Sequence, residues 1–294
     1  MMTQFLQKNG ESGWGPFPFT DEDFRKISKI LHEDAGIYLS SAKATLVYSR
    51  LTKRLRALGL ENFRDYCSLI ASDGGVDERQ KMIAALTTNV TRFFREPHHF
   101  EHLKTHVVAR KAEHVRKGGR LRIWSAACSD GQEPYSIAMT ILSVIPEAAT
   151  LDVRVLATDI DQNMIAHGRA GVYGQDAMSA VPTEMRERWF SPVGGASVRM
   201  WEVSEKLASL VSFRELNLVG PWPMKGRFDA IFCRNVVIYF EEKTQQEIWR
   251  RFPPALTLDG RLYIGHSERI AGQAAERFVS DGFTTYRLRE GAAR

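Results

Sequence analysis

The sequence predicts an α/β protein in two parts: a small N-terminal all-α domain, then a Rossmann-like domain carrying a small antiparallel β insertion. Three observations predict it. Residues 20–88 show only local helical periodicity. At 121–142 an apolar run, Leu121-Arg122-Ile123-Trp124, feeds a turn of small residues, Ser125 to Gly131. A helix pattern follows from Glu133-Pro134, with Ile137, Ala138, Ile141 and Leu142 on its apolar side. Strand-then-helix units then recur to the end of the chain, as a parallel sheet requires.

Length and composition narrow the class. A chain of 294 residues accommodates two domains, and 44% hydrophobic with 26% charged residues describes a globular protein. The longest uncharged apolar run, Pro134 to Pro146, is too short to span a bilayer and reads as a buried helix. Residues 1–19 lack the basic start and apolar block of a signal peptide and are expected to form a mobile tail. Cys67, Cys128 and Cys233 are far apart with no CxxC spacing, which argues for a reducing, cytoplasmic setting and against zinc.

The helical domain is expected over 20–88. Thr20 caps a helix with Asp23 at its third position, Phe24, Ile27, Ile30 and Leu31 follow at helical spacing, and Gly36 ends it. A second helix is predicted from about Ser41 to Leu58, with Val47, Leu51, Leu55 and Leu58 on one face. No acid lies between Asp34 and Glu61, whereas Lys43, Arg50, Lys53, Arg54 and Arg56 do. Lys43, Arg50 and Arg54 cluster on one side with Lys53 beside them, and such an unmixed face suits an acidic partner. Charge alone leaves nucleic acid and an acidic helical protein both open. Shorter helices are expected around 62–72 and 77–86.

Residues 89–119 read as a linker and connecting helix. The linker, Asn89 to Pro97, is dense in polar side chains: Asn89, Thr91 and Arg95 could address one ligand while Phe93 and Phe94 anchor the loop. His98, His102 and His106 follow at i, i+4, i+8, but no acid or cysteine completes a known ligand pattern. A packed or solvated face is expected there, with no metal.

The Rossmann-like domain is expected over 120–294. A second strand, Asp152 to Asp159, ends in the acid that in dinucleotide folds accepts ribose hydroxyls, while Asp161 better suits a helix cap. Alternation around 197–203 and 210–215 suggests a β subdomain at about 191–215. The strand Arg227 to Cys233 leads to Arg234-Asn235 and Val236 to Tyr239, then a helix at about 242–258 and strands at 260–265 and 284–288. Glu133, Asp159, Asn235 and Tyr239 thus all follow the carboxyl ends of strands, where open α/β sheets bind ligands.

Trp124 to Ser136 is similar to the first motif of the chemotaxis receptor methyltransferases, the CheR family. Asn89-Val90-Thr91-Arg92-Phe93-Phe94-Arg95 resembles its inter-domain ligand loop, and Ala157-Thr158-Asp159-Ile160 its ribose-binding strand end. Cys233 to Phe240 resembles the motif after the fourth strand, and Gly265-His266-Ser267-Glu268 a late motif. Five motifs in order over about residues 20–290 are far more specific than any one.

The resemblance implies S-adenosylmethionine as cofactor and glutamate side chains on cytoplasmic chemoreceptor helices as substrate. It implies cofactor contacts from Asn89, Thr91, Arg95, Glu133, Asp159, Asn217, Leu218, Arg234 and Asn235. Glu133 would suit the cofactor's cationic end, Asp159 its ribose, and Asn217-Leu218 its adenine. Arg95 and Tyr239 are the catalytic candidates, one as a charged clamp and one as a hydroxyl that orients the nucleophile. The basic helix would meet the acidic receptor, and a monomer without nucleic acid or membrane insertion is expected.

Three positions depart from the common family pattern: Ala127 for Gly, Asp130 for Thr and Gln132 for Glu. Near Gly194-Gly195 the insertion lacks the spaced-glycine loop of members that dock on a receptor's C-terminal pentapeptide. The rival readings are a sensor or scaffold module without catalysis, and a nucleic-acid methyltransferase, which a pI of 9.1 invites. The latter normally carries Asn/Asp-Pro-Pro-aromatic where this chain has Arg234-Asn235-Val236-Val237.

Overall fold

The computed structural model describes residues 15–195 and 199–290. The chain divides into two compact units: residues up to Thr88 together with Tyr239–Glu241, and Asn89–Ile238 together with the chain from Glu242 onward.

The first unit holds α1 (Asp21–Ala35), α2 (Ala44–Leu58), α3 (Phe63–Ala71) and α4 (Val76–Leu86). Thr20 and Asp23 form a reciprocal capping box that starts α1, and Gly36 ends it at φ 70°. Phe24, Ile27, Leu31, Val47, Leu51, Leu55, Tyr66 and Ile70 make the core. Most of the expected N-terminal tail, residues 1–14, lies outside the described residues. Its last part is not a tail: Phe19 is buried, with its ring 4.5 Å from Phe63 and 5.8 Å from Tyr48. A buried aromatic there fixes the chain ahead of Thr20.

The basic face of α2 also differs from expectation. Arg54 is turned inward, with Nε 2.9 Å and Nη2 2.6 Å from the two oxygens of the buried Glu78, which also accepts from the Tyr66 hydroxyl at 3.1 Å. Arg50 donates to the carbonyls of Leu86 (2.9 Å) and Thr87 (2.6 Å), closing the C-terminal end of α4. Both arginines hold the bundle together and are not available to a partner; Lys43 and Lys53 remain exposed. The same unit includes a short antiparallel bridge between Ile37 and Phe240, next to which the Tyr38 N–H donates to the Tyr239 carbonyl at 2.9 Å.

The second unit opens with α5 (Pro97–His102), a π-helical stretch Leu103–Val108, and α6 (Ala109–Arg116). Next come β1 (Leu121–Ala126), α7 (Gln132–Val144), β2 (Val153–Asp159), α8 (Gln162–Ala170) and β3 (Val172–Gly174). They are followed by α9 (Gln175–Met178), α10 (Thr183–Trp189), β4 (Phe190–Val193), β5 (Met200–Val203), α11 (Glu205–Ala208) and β6 (Val211–Glu215). The unit ends with β7 (Phe228–Cys233), α12 (Glu242–Ala255), β8 (Leu256–Ile264), β9 (Phe278–Gly282) and β10 (Thr285–Leu288).

Seven strands form one sheet in the order β6-β2-β1-β7-β8-β10-β9. β6, β2, β1, β7 and β8 are parallel neighbours, and β10 runs antiparallel between β8 and β9. β1 and β7 are almost wholly buried, as central strands covered on both faces must be, and they carry apolar runs in place of alternation. A separate small sheet has the order β3-β5-β4. The expected insertion at about 191–215 is therefore displaced. It recruits Val172–Gly174, and Val211–Glu215 leaves it to pair in parallel with β2. Two short alternating runs close in sequence read alike, and only pairing distinguishes them. β8 likewise starts at Leu256, earlier than its glycine suggested, and β9 went unread.

Candidate active site

The site is built on the turn between β1 and α7. Ala127, Ser129 and Gly131 all have positive φ (59°, 52° and 97°), so within five residues the backbone repeatedly turns left-handed. Gly131 is required on two counts: its φ, and the Gly168 Cα and Tyr173 Oη atoms that would lie 2.9 Å from an added Cβ. The turn aims the Ser129 N–H at Asp159 Oδ2 (2.8 Å), while Asp159 Oδ1 accepts from the Asp161 N–H at 2.9 Å. Burial pushes the Asp159 carboxyl up to about 6, and those N–H donors offset it only partly. Asp161 caps α8 by accepting from the Asn163 N–H and also accepts from Asn89 Nδ2 at 3.0 Å.

Gln132 joins this turn to the preceding loop. Its Oε1 accepts from the Phe93 N–H at 3.0 Å, and its Nε2 donates to Asp130 Oδ2 at 2.9 Å. The departures at 130 and 132 therefore compensate one another. A glutamate at 132 would set a second carboxylate against Asp130 where the amide now donates. Ser136 adds a bond from the Phe94 N–H at 3.0 Å.

Glu133, on the first turn of α7, accepts from the Ser125 hydroxyl (2.7 Å) and from Arg234 Nη1 (3.0 Å). Burial raises its carboxyl above the ordinary range although Arg234 pulls the other way. Arg234 follows β7, donates through Nη2 to the Arg95 carbonyl, and pairs with Glu96 at 3.3 Å. Nothing in the sequence marks Glu96 for this role. It sits at φ 57°, and burial raises its pKa less than Arg234 and the hydrogen bonds from His266 lower it, so the carboxyl is held at about 2. Two carboxylates thus share one guanidinium, and both Glu96 Oε2 and Arg234 Nε lack a hydrogen-bond partner among the described residues.

Glu268 is the second residue the sequence left without a role, although its motif was noticed. Its carboxylate accepts from the N–H groups of Asn235 (2.9 Å), Val236 (3.0 Å), Val237 (2.8 Å) and Gly265 (2.6 Å). Those bonds fix the loop that carries Arg234 and Asn235, the latter at φ 58°. An added Cβ on Gly265 would lie 2.8 Å from the Asn235 backbone nitrogen, so the two segments approach closely only because glycine is there.

Asn217 and Leu218 follow β6. Asn217 Oδ1 accepts from the Val219 N–H at 3.0 Å, and the Leu218 carbonyl accepts from the Trp222 indole (3.1 Å) and Arg251 (2.7 Å). Arg251 lies 4.0 Å over the Trp222 ring. Arg95 donates to the Val90 carbonyl at 3.0 Å, and Thr91 is half-buried beside it in sequence. The second unit therefore groups these residues in three hydrogen-bonded sets: Asn89 and Asp159 through Asp161 and Ser129, Arg95 and Glu133 through Arg234, and Asn235 through Glu268. Tyr239 belongs to the first unit and is partly exposed.

Of the helical histidines, His99 is buried and His102 half-buried, while His98 and His106 are exposed. His99 is fully buried with Nε2 2.9 Å from Thr284 Oγ1, burial and then Arg234 pushing it down to about 3, so the ring is neutral. His102 and His106 stack at 4.1 Å. Among the described residues, Glu96, His98 and His99 alone are grouped closely enough to hold a metal ion, and Glu96 already serves Arg234 and His266.

The parallel sheet with one reversed strand, the strained turn after β1 and the acid ending β2 define a Rossmann-like methyltransferase domain that takes S-adenosylmethionine. The set fits that cofactor: an excess of buried carboxylate around Arg234 suits a cationic ligand, and Asp159 suits ribose hydroxyls. The model of the CheR methyltransferase SAM-binding domain matches residues 89–286, and that of the CheR all-alpha domain matches residues 22–87. The chain belongs to the CheR methyltransferase family. It is 54% identical to a probable chemotaxis protein methyltransferase of Rhizobium etli, over 88% of this chain and 96% of that one. It is 43% identical to the chemotaxis protein methyltransferase of Escherichia coli, over 92% and 91% of the two chains. That of Klebsiella aerogenes is 42% identical, again over 92% and 91%. No helix among the described residues is long and apolar enough to cross a membrane.

Proposed function

We propose that this protein acts in the cytoplasm as a protein-glutamate O-methyltransferase, forming methyl esters on glutamate side chains of chemoreceptor helices. The observation that carries this reading is the near end-to-end similarity to chemotaxis protein methyltransferases. The loop after β7 supports a carboxylate acceptor over a nucleic-acid base, since Arg234-Asn235-Val236-Val237 has no proline where amino-methylating enzymes carry two.

S-adenosylmethionine, when bound, supplies a methyl group on a cationic sulfur. Asn89, Thr91, Arg95, Glu133, Asp159, Asn217, Leu218, Arg234 and Asn235 would hold it, Glu133 suiting its amino group and Asp159 its ribose. Arg234, between Glu96 and Glu133, favours the charged form of both and holds them apart. A glutamate acceptor is already ionised near neutral pH, so no strong general base is needed. Arg95 would clamp the incoming carboxylate and Tyr239 is the candidate hydroxyl donor to it, and transfer would need in-line placement at roughly 3–3.5 Å. With Arg50 and Arg54 committed to the bundle, Lys43 and Lys53 are the residues of α2 that meet an acidic receptor helix. The protein works as a monomer.

The test is transfer of labelled methyl from the cofactor to purified receptor fragments. Base-labile label on receptor, lost with Arg95→Ala, is expected. Label on nucleic acid, or none, would overturn the reading.

A further inference from the structure

A cavity of about 380 Å³ lies behind the loop Asn89 to Pro97 and shares no residue with the cofactor set. Its walls include Phe93, Phe94, Phe100 and Met185, with Arg92 and Lys104 at its lining. The size suits a small-molecule ligand, and so does a mostly apolar wall with few polar groups. Arg92 and Lys104 are exposed, and among the described residues neither side chain has an ion-pair or hydrogen-bond partner. Glu101 also borders the cavity, one helical turn before Lys104, so the lining carries one net positive charge.

The wall is mechanically tied to the cofactor set. Phe93 and Phe94 face the cavity, and their N–H groups bond to Gln132 and Ser136 on α7. The next two residues, Arg95 and Glu96, hold Arg234. Phe94 and Glu96 both have positive φ, an arrangement non-glycine residues keep only where their surroundings enforce it and one that clusters at ligand clamps and switches. Anything that moves Phe94 therefore moves the arginine shared by Glu96 and Glu133.

We infer that this cavity is a second ligand site, for a small amphipathic anion: an aromatic or branched apolar body seated among the three phenylalanines, and a carboxylate, sulfonate or phosphate against Arg92 and Lys104. Its occupancy is coupled to cofactor binding through residues 93–96. The coupling is reciprocal, so a cavity ligand changes cofactor affinity by the factor by which cofactor changes its own.

The probe is anilinonaphthalene sulfonate, titrated by fluorescence into the full chain saturated with S-adenosylhomocysteine. One saturable site is expected. The double charge reversal Arg92→Glu with Lys104→Glu weakens it at least about tenfold, and Met185→Trp, which fills the cavity, abolishes it. The uncharged N-phenylnaphthylamine binds at least about tenfold more weakly. Saturating probe shifts S-adenosylhomocysteine affinity at least about fivefold, the lower end of the ordinary range for coupled sites. Direct displacement of the probe by S-adenosylhomocysteine would place it in the cofactor pocket and overturn the inference. Binding unaffected by both variants, or an unchanged S-adenosylhomocysteine affinity, would do the same.

Discussion

Arg54 and Arg234 each lie against buried glutamate, and the two sites differ in how the charges balance. Arg54 faces one carboxylate in a two-pronged pair, with the Tyr66 hydroxyl on the same acid. Every strong group there has its partner, and the pair joins α2 to α4. Arg234 faces two carboxylates, leaves its Nε and one Glu96 oxygen without hydrogen bonds, and cannot neutralise both acids. A balanced pair holds a bundle together. An unbalanced one is costly in the empty protein and ready for a cation. The same residue types thus serve packing in one unit and binding in the other, and the count of charges tells them apart.

The largest expected effect comes from removing Arg234. Arg234→Met takes the guanidinium from both Glu96 and Glu133, a stability loss of about 3–5 kcal/mol that urea unfolding reads; because Arg234 also holds the Arg95 carbonyl, S-adenosylhomocysteine affinity of the folded protein, measured by calorimetry, falls as well. Arg54→Ala strands Glu78 and lowers unfolding free energy by about 2 kcal/mol, discounted because Arg54 is a quarter exposed. Urea unfolding reads that loss while cofactor affinity of the folded protein is unchanged. Pairing Arg54→Met with Glu78→Leu restores most of the stability; a similar rescue at Arg234 and Glu133 would not restore binding.

Glu133→Gln separates the two roles further. Burial already disfavours the charge on Glu133, so a neutral side chain leaves thermal stability equal or higher, while cofactor affinity drops about tenfold. The smallest effect is a pH dependence at Asp159. Its folded pKa, about 6, lies above the ordinary 3.8, so its stabilising contribution is complete below pH 3.8 and is lost as pH rises through 6. Ribose hydroxyls need the ionised acid, so binding runs the opposite way and strengthens about threefold to tenfold between pH 5 and 7. Asp159→Asn should flatten that profile in a binding titration.

Much of this was legible in the sequence because it is local. The capping box at Thr20, the turn after β1 and the acid ending β2 all rest on neighbours within a few residues. Pairings at a distance were not. Arg54 and Glu78 are far apart in sequence, so a stripe of basic residues looked like a surface when two of its members were internal bonds. Glu96 was hidden for another reason: a left-handed glutamate just ahead of Pro97 leaves no signature in composition or period. Glu268 lay inside a motif that was noticed, yet its work, gathering four backbone N–H groups, appears only once β7 and β8 are side by side. Val211–Glu215 was placed in the wrong sheet because strand partners cannot be read from alternation.

The central claim is that the surplus acid beside Arg234 receives the cofactor's amino group. A double-mutant cycle tests it directly: the protein and its Glu133→Gln variant, each titrated with S-adenosylhomocysteine and with an analogue lacking the α-amino group. The account predicts strong coupling, the variant losing about tenfold toward the parent ligand and almost nothing toward the analogue. Equal losses toward both ligands would contradict it.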